Sequence, residues 1–133
     1  KRKNDIIHSS LKTIAGFLNS DGGTLLIGIS DYWEVFGIDR DLAEMQNGNL
    51  DTFQQLLTQK IENSFSSSLN NKDIDISFPE IDNKTIVRLD VERSSEPIFV
   101  NKEDNNIFYV REIGKTNMYE AERLASYLIT HFR

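Results

Sequence analysis

Apolar residues recur at helical spacing in three stretches of the chain, with polar residues between them. Residues that favour a helix start precede each stretch: Asn4 or Asp5 before the first, and Asp51 before the second. Asn117, with Glu120 three residues later, has the spacing of a capping box before the third. The pattern therefore predicts three amphipathic helices. Their predicted buried faces are Ile7, Leu11, Ile14 and Leu18; Phe53, Leu56, Leu57, Ile61 and Phe65; and Ala121, Leu124, Ala125, Leu128 and Phe132.

Strand patterns, short apolar or alternating runs bounded by turn residues, lie between these helices. Residues 39–50 contain Gly, Asn and Asp and are predicted to form a loop, and Asp82-Asn83 marks a turn. This order of elements predicts an α+β domain with a mainly antiparallel sheet and three helices. The predicted strands are residues 24–29, with 35–38 as a hairpin partner, and residues 74–78, 87–91, 98–100 and 107–111.

A double glycine separates the first helix from the first strand. Two glycines allow a sharp reversal because they adopt backbone angles that other residues avoid. Asn19, Gly22 and Gly23 could bind a phosphate through backbone N–H groups, with Asp21 beside them. A helix end with a tight turn explains the same residues more simply, because the spacing of nucleotide-binding loops is absent. The strand that follows carries Asp31 at its exposed end.

Composition narrows the class of protein and of partner. The 133 residues are expected to form one domain (1–133), and because the first residue is not Met we expect a piece of a larger protein. The chain has no cysteine, which fits a cytoplasmic protein, and no apolar run long enough to cross a membrane. Its formal net charge of −6 argues against strong binding of duplex DNA through phosphates.

Arg111, Lys115 and Thr116 can present guanidinium, ammonium and hydroxyl donors to phosphate oxygens. The alternative is an ordinary surface ion pair between Arg111 and either Glu112 or Asp90. Both interpretations stay open at this point.

Three aromatic residues follow the first strand. Trp33 at the tip of the predicted hairpin could stack on an unpaired base beside Tyr32, whereas Phe36 is expected to be buried. His8 and His131 lie far apart in sequence without ligand-like spacing to acids, and are predicted to be ordinary helix residues.

Residues 16–23 (Gly-Phe-Leu-Asn-Ser-Asp-Gly-Gly), residues 28–31 (Gly-Ile-Ser-Asp) and Arg111 with Gly114 and Thr116 occur in an order that resembles the Schlafen AlbA-2 domain family. That family is described as a DNA-binding domain of bacterial regulators and of ATP-binding proteins. The resemblance spans nearly the whole chain and implies the family's fold. It implies function less specifically, because the family has both nuclease and binding members.

The resemblance also implies a metal-dependent alternative. Eukaryotic Schlafen relatives include endoribonucleases that cleave transfer and ribosomal RNA with three carboxylates and a metal ion. Only the third carboxylate maps onto this chain, at Asp31, and Ser30 stands where many relatives carry another aspartate. Asp31 is thus the candidate catalytic residue and ligand of Mg²⁺ or Mn²⁺. Otherwise no cofactor is evident, and the fragment alone is expected to be inactive.

Three functions follow, in decreasing order of support. The first is a nucleic-acid-binding domain of a larger regulatory or defence protein, with RNA or single strands favoured over duplex DNA. The second is an endoribonuclease whose metal site is completed by a missing N-terminal segment. The third is a protein–protein or dimerisation module that pairs through exposed strand edges, for example as a homodimer.

Overall fold

The computed structural model describes residues 2–30, 32–43, 49–66 and 69–132, and for residues 2–6 and 41 it describes the backbone only. These ranges contain three long α-helices and one short one. The long helices are α1 (Arg2–Leu18), α3 (Leu50–Ser64) and α4 (Ala121–His131), and the short helix is α2 (Asp39–Ala43).

The described strands pair only in antiparallel fashion. They form a three-stranded sheet in the order β1-β5-β2, a two-stranded hairpin β3-β4, and a second three-stranded sheet in the order β6-β7-β8. The predicted α+β class is therefore confirmed. The strands are β1 (Gly23–Ile27), β2 (Ile74–Ser77), β3 (Glu80–Ile81), β4 (Lys84–Thr85), β5 (Val87–Val91), β6 (Val100–Lys102), β7 (Asn105–Glu112) and β8 (Lys115–Tyr119).

The main core lies between α1, α3 and the sheet β1-β5-β2. Ile14 and Leu18 of α1 and Leu89 of β5 are completely buried, and each such side chain contributes about 1.5–3 kcal/mol. Arg88 on β5 is exposed, as strand alternation requires. The predicted faces of the first two helices are thus confirmed: Ile7, Leu11, Ile14, Leu18, Phe53, Leu57, Ile61 and Phe65 are buried, and Leu56 is half-buried.

A second core fixes α4 against the β7–β8 hairpin. Tyr127 of α4 packs edge-on against Tyr119 at 5.3 Å and tilted against Phe108 at 6.0 Å between ring centroids. These ring contacts set the rotation of the helix, so Ala121 and Ala125, predicted to be buried, are exposed. The inward residues are Phe108, Val110 and Tyr119 of the hairpin and Leu124, Tyr127, Leu128 and Phe132 at the C-terminal end.

Two predicted helix starts are wrong by a few residues. Helix α1 already includes Arg2, so neither Asn4 nor Asp5 caps it. Helix α3 begins at Leu50, and its cap is Asn49, whose side-chain oxygen accepts a hydrogen bond from the Thr52 N–H at 2.9 Å. Asn and Asp are nearly equal as caps, so local preference alone could not decide between neighbouring positions.

The predicted capping box at Asn117 is wrong, because residues 115–119 form strand β8. The turn at Ile113 and Gly114 folds these residues back onto β7, where five residue pairs are in register. Helix α4 starts only at Ala121, and Glu120 occupies the cap position without a side-chain hydrogen bond. Pairing with the preceding strand β7 has overridden the local helix signal.

The segment after β1 also differs from its prediction. The hairpin is reduced to one bridge between Ile29 and Val35, and residues 39–43 form α2 instead of a loop. Of the rest of that predicted loop, residues 44–48 lie outside the described residues, and Asn49 and Leu50 cap and begin α3. The turn at Asp82 and Asn83 is confirmed, and both residues have the positive φ that a tight hairpin turn uses.

Helix α4 is also held by polar contacts at its C-terminal end. The Tyr127 hydroxyl donates to the Asn19 backbone oxygen, and the His131 ring stacks on the Tyr127 ring at 4.7 Å between centroids. The Arg93 guanidinium donates to the His131 backbone oxygen at 2.7 Å. The His131 Nε2 is buried without a described hydrogen-bond partner.

Acidification should therefore weaken the packing of α4. Burial lowers the pKa of His131 and the charge of Arg93 lowers it further, despite opposing effects of Ser20 and Asp21. On acidification, His131 therefore takes up a proton at a higher pH in the unfolded chain than in the folded chain. The stabilisation is complete above the ordinary histidine pKa of about 6.5 and is lost as the pH falls below it. Urea unfolding at about pH 7.5 and about pH 5.5 measures the loss.

His131→Phe is the matched variant, because phenylalanine keeps a ring against Tyr127 but does not titrate. Its unfolding free energy should change less between the two pH values than that of the parent chain. An equal change in both proteins would contradict the role assigned to His131.

Candidate nucleic-acid interface

The double-glycine corner is built into the end of helix α1. The Gly22 N–H donates to the Phe17 carbonyl at 3.0 Å, and Gly22 has a φ of +80°, which favours glycine. A Cβ on Gly22 would lie 2.5 Å from the Val91 oxygen, and one on Gly23 would lie 2.7 Å from the Phe17 ring. Helix capping and close packing therefore explain both glycines. In this geometry the Gly22 N–H is not available to a phosphate.

Asn19 joins the corner to two other parts of the chain. Its side-chain N–H₂ group donates to the Ile98 and Tyr109 carbonyls, and its side-chain oxygen accepts from the Ile98 N–H, each at 2.9 Å. The side chain is completely buried. Asn19 was a candidate for ligand contact, but its amide is fully used within the fold, so we do not include it in the interface proposed below.

Arg111 lies directly beside this corner. Its backbone N–H donates to the Ser20 hydroxyl at 2.8 Å, and its guanidinium lies 5.3 Å from the centre of the Phe17 ring. One guanidinium nitrogen, Nη1, donates to the Thr116 hydroxyl oxygen at 2.8 Å. Gly16 allows this arrangement, because a Cβ there would meet the Thr116 methyl group at 3.2 Å. The half-buried guanidinium is thus held in a defined orientation.

The ion pair expected for an ordinary surface arginine is not formed. Of the two predicted partners, Asp90 pairs with Arg88 at 3.0 Å and Glu112 pairs with Arg123 at 3.1 Å. Within the described ranges, Arg111 makes no ion pair with any carboxylate. Its remaining N–H groups have no hydrogen-bond partner among the described residues and could donate to an anion.

Lys115 does not join Arg111 and Thr116 on one face. Alternation along the hairpin places Arg111 and Thr116 on the side of α1, and Lys115 on the opposite side with Glu112. The Glu112 carboxylate accepts hydrogen bonds from Asn117, Tyr119 and Arg123. Lys115 is exposed near the turn, where it can reach a ligand only from the edge of the hairpin.

Trp33 lies at the other end of β1, in a segment that we call the aromatic loop (residues 30 and 32–36). Its side chain is 77% exposed, as predicted, beside Tyr32 at 87%. Phe36 is 59% exposed, so the prediction of burial was wrong: Val35 takes the inward position and its neighbour points outward. The Ser30 hydroxyl braces the loop by accepting two backbone N–H groups at 3.1 Å.

The aromatic loop and Arg111 are separate features. Gly23, at the start of β1, adjoins the corner, whereas the aromatic loop follows the end of the strand, and the strand itself spans about 13 Å. The corner and Arg111, by contrast, are in contact. One ligand could contact both ends only if it were an extended molecule.

Asp31 lies outside the described residues, so its proposed roles in catalysis and in binding Mg²⁺ or Mn²⁺ stay predictions. Among the residues that the structure does describe, no group of three His, Asp or Glu side chains is close enough to hold a metal ion. A homodimer is likewise still a prediction. No helix in the described ranges is long and apolar enough to cross a membrane.

Sequence reasoning missed the residues that position Arg111. The Phe17 ring lies against the Arg111 guanidinium, and the Ser20 hydroxyl accepts a hydrogen bond from the Arg111 backbone N–H. Along the chain, however, Ser20 and Arg111 are 91 positions apart. The spacing signal around Arg111 pointed to Thr116, five residues away, and that pair is in contact. The contacts of Arg111 with Phe17 and Ser20 join distant segments and could not be predicted from residue spacing.

The fold and this site define an α+β domain in which a helix corner supports an arginine on a β-hairpin. The family model described as "Schlafen, AlbA_2" matches residues 1–119. The chain belongs to the Schlafen AlbA_2 family. No curated protein matches the chain.

A solved structure has the same fold. The crystal structure of the DIP2311 protein from Corynebacterium diphtheriae is similar, with a TM-score of 0.64 and 16% sequence identity. The match covers 96% of this chain and 20% of that protein, so this chain spans about a fifth of its length. At this identity the likeness shows the fold alone.

Proposed function

We propose that this domain binds a single nucleic-acid strand, RNA or single-stranded DNA, and that Arg111 contacts a backbone phosphate. The observation that carries the proposal is the guanidinium of Arg111, which is oriented by Thr116 and Phe17 and has no carboxylate partner among the described residues. Guanidinium groups bind phosphates through parallel N–H donors. Membership of the Schlafen AlbA_2 family supports the same class of ligand.

A single strand fits this surface better than a duplex does. The net charge of −6 opposes the general attraction on which duplex binding depends. The exposed side chain of Trp33 offers a ring on which an unpaired base can stack, a contact worth about 1–3 kcal/mol. Because an extended strand can span both ends of β1, Arg111 and Trp33 can contact the same molecule.

Arg111→Ala should weaken binding of a labelled single-stranded oligonucleotide about tenfold, because hydrogen bonds to charged groups contribute about 1.5–3 kcal/mol. Loss of one phosphate contact should also reduce the slope of log affinity against log salt by about 0.7. Fluorescence anisotropy at several salt concentrations measures both. Quenching of Trp33, the one tryptophan of the chain, reports whether the strand reaches the aromatic loop.

Arg88→Ala is the matched control. It removes the same charge, but Arg88 is exposed on β5 and already paired with Asp90, so affinity should change little. Thermal melts of both variants check that they are folded at the temperature of the assay. The proposal fails if the parent chain binds no strand even at low salt, or if Arg88→Ala weakens binding as much as Arg111→Ala does.

A further inference from the structure

A second group of basic side chains lies on the same seam as Arg111, between α1 and the strands β6 and β7. His8 and Lys12 are four residues apart on α1 and therefore share one face of the helix. The Lys102 Nζ on β6 lies 3.3 Å from the His8 Nε2, and the Lys12 Nζ lies 5.6 Å from the centre of the Tyr109 ring. These four side chains line a cavity of about 50 Å³.

The donors around this cavity have no acidic partner in the described part of the chain. Neither Lys12 nor Lys102 makes an ion pair there. Tyr109 is more than nine-tenths buried, and its ring lies beneath the Lys12 ammonium. Burial raises the pKa of the Tyr109 phenol, so its hydroxyl stays protonated and can donate a hydrogen bond.

The size of the cavity restricts what can enter it. Sites for whole small molecules usually measure about 300–1,000 Å³, several times larger than this one. A cavity of about 50 Å³ has room for one small oxyanion but not for a nucleobase. Two ammonium groups, an imidazole and a phenol together favour an anion that accepts several hydrogen bonds.

We infer that this cavity, the seam pocket, binds one phosphate group. Resting on the function proposed above, we assign that group to the backbone of the strand that Arg111 contacts. Lys12, Lys102 and Tyr109 supply donors, and His8, whose Nε2 accepts from the Lys102 ammonium, can add its Nδ1–H.

The position of the seam pocket suits a strand that continues from Arg111. Tyr109 and Arg111 are two residues apart on β7, so they project to the same side about 7 Å apart. On α1, Lys12 precedes Phe17, which carries the guanidinium, by five residues or about 7.5 Å. A strand extended along the seam would place successive phosphates at Arg111 and at the pocket.

The first arm of the test uses inorganic phosphate alone. Phosphate, compared with chloride at equal ionic strength, should shift the NMR signals of the His8 imidazole and leave those of His131, the other histidine, nearly unchanged. The double variant Lys12→Gln/Lys102→Gln should lose the His8 shift. No shift of His8 in the parent chain, or an equal shift in the double variant, would overturn the phosphate site.

The second arm uses the single-stranded oligonucleotide. The double variant should bind it about tenfold more weakly and with a salt slope lower by about 0.7. The control is Lys60→Gln/Lys72→Gln, which removes the same charge from two exposed lysines on α3 and beside β2, and its loss of affinity should be small.

The two arms separate this inference from the proposed function. If Arg111→Ala weakens strand binding but the Lys12→Gln/Lys102→Gln variant matches its control, the proposed function stands and the assignment of the pocket to the strand is overturned. If phosphate shifts His8 while no strand binds, the pocket binds free phosphate and the proposed function fails. Loss of both signals in the lysine variant supports the inference as stated.

Discussion

Asn19→Leu should lower the free energy of unfolding by about 4 kcal/mol or more, one of the two largest effects that we expect in this chain. Leucine has the same branched shape and number of heavy atoms as asparagine, so the substitution leaves no cavity. It removes three hydrogen bonds and leaves the Ile98 N–H and the Ile98 and Tyr109 carbonyls without their partner in the interior. Each such buried group costs about 1–3 kcal/mol. Urea unfolding monitored by circular dichroism measures the change.

Asn19→Asp sharpens this test, because a carboxylate can still accept from the Ile98 N–H but cannot donate to the two carbonyls. It too should destabilise the fold strongly. Asn105→Leu is the surface control, since Asn105 is exposed on β7 and should change stability by no more than about 0.5 kcal/mol. If Asn19→Leu proved as mild as this control, the Asn19 amide would become available again as a ligand contact.

The elements with strong local patterns could be predicted from the sequence. The face of α1 that contains Ile14 and Leu18 follows from spacing alone, because a helix on a core must bury one continuous stripe. The alternation of β5 around Leu89 is equally local. In both cases the side chains that decide the structure are near neighbours in the sequence.

The predictions failed where contacts with other elements outweigh local preference. Strand β8 replaced a helix start because residues 115–119 pair with β7 across a tight turn. Tyr127 turned out to be a central packing residue of α4 because it meets Phe108 and Tyr119, which lie on other elements. The spacing of residues within one stretch of sequence does not show which other elements that stretch will contact.

The same limit applies to the candidate site. Arg111 was identified through its strand end, but the contacts that orient it come from Phe17 and Ser20 near the chain's other end. The seam pocket combines Lys12 with Lys102, two lysines 90 positions apart that have no common motif. Only the fold reveals that Lys12 of α1 and Lys102 of β6 line the same cavity.

The double-glycine corner and Arg111 are connected through Ser20. Ser20, which accepts the Arg111 N–H, sits between the end of α1 and Gly22, so the turn that ends the helix also sets the position of β7. In the proposed interface the double glycine would act through the placement of Arg111, without contacting the ligand itself. That interpretation makes Gly22 a stability residue, and it can be tested separately.

Gly22→Ala should destabilise the domain by about 3 kcal/mol or more, whereas Gly114→Ala should cost only about 1–2 kcal/mol. Both glycines have positive φ, +80° and +71°, so both alanines bear the strain of the left-handed conformation. Only at Gly22 does the new Cβ also collide, 2.5 Å from the Val91 oxygen, because nothing lies within 4 Å of a Cβ at Gly114. Urea unfolding of the two variants measures the difference.

That difference isolates the cost of displacing β5 from the helix corner. Since the Val91 oxygen belongs to the backbone of a paired strand, it cannot move aside as a flexible side chain would. Equal losses in the two variants would mean that β5 yields easily and that packing does not require a glycine at position 22. The Gly22-Gly23 pair would then need another explanation, and direct contact with a phosphate would again be the first candidate.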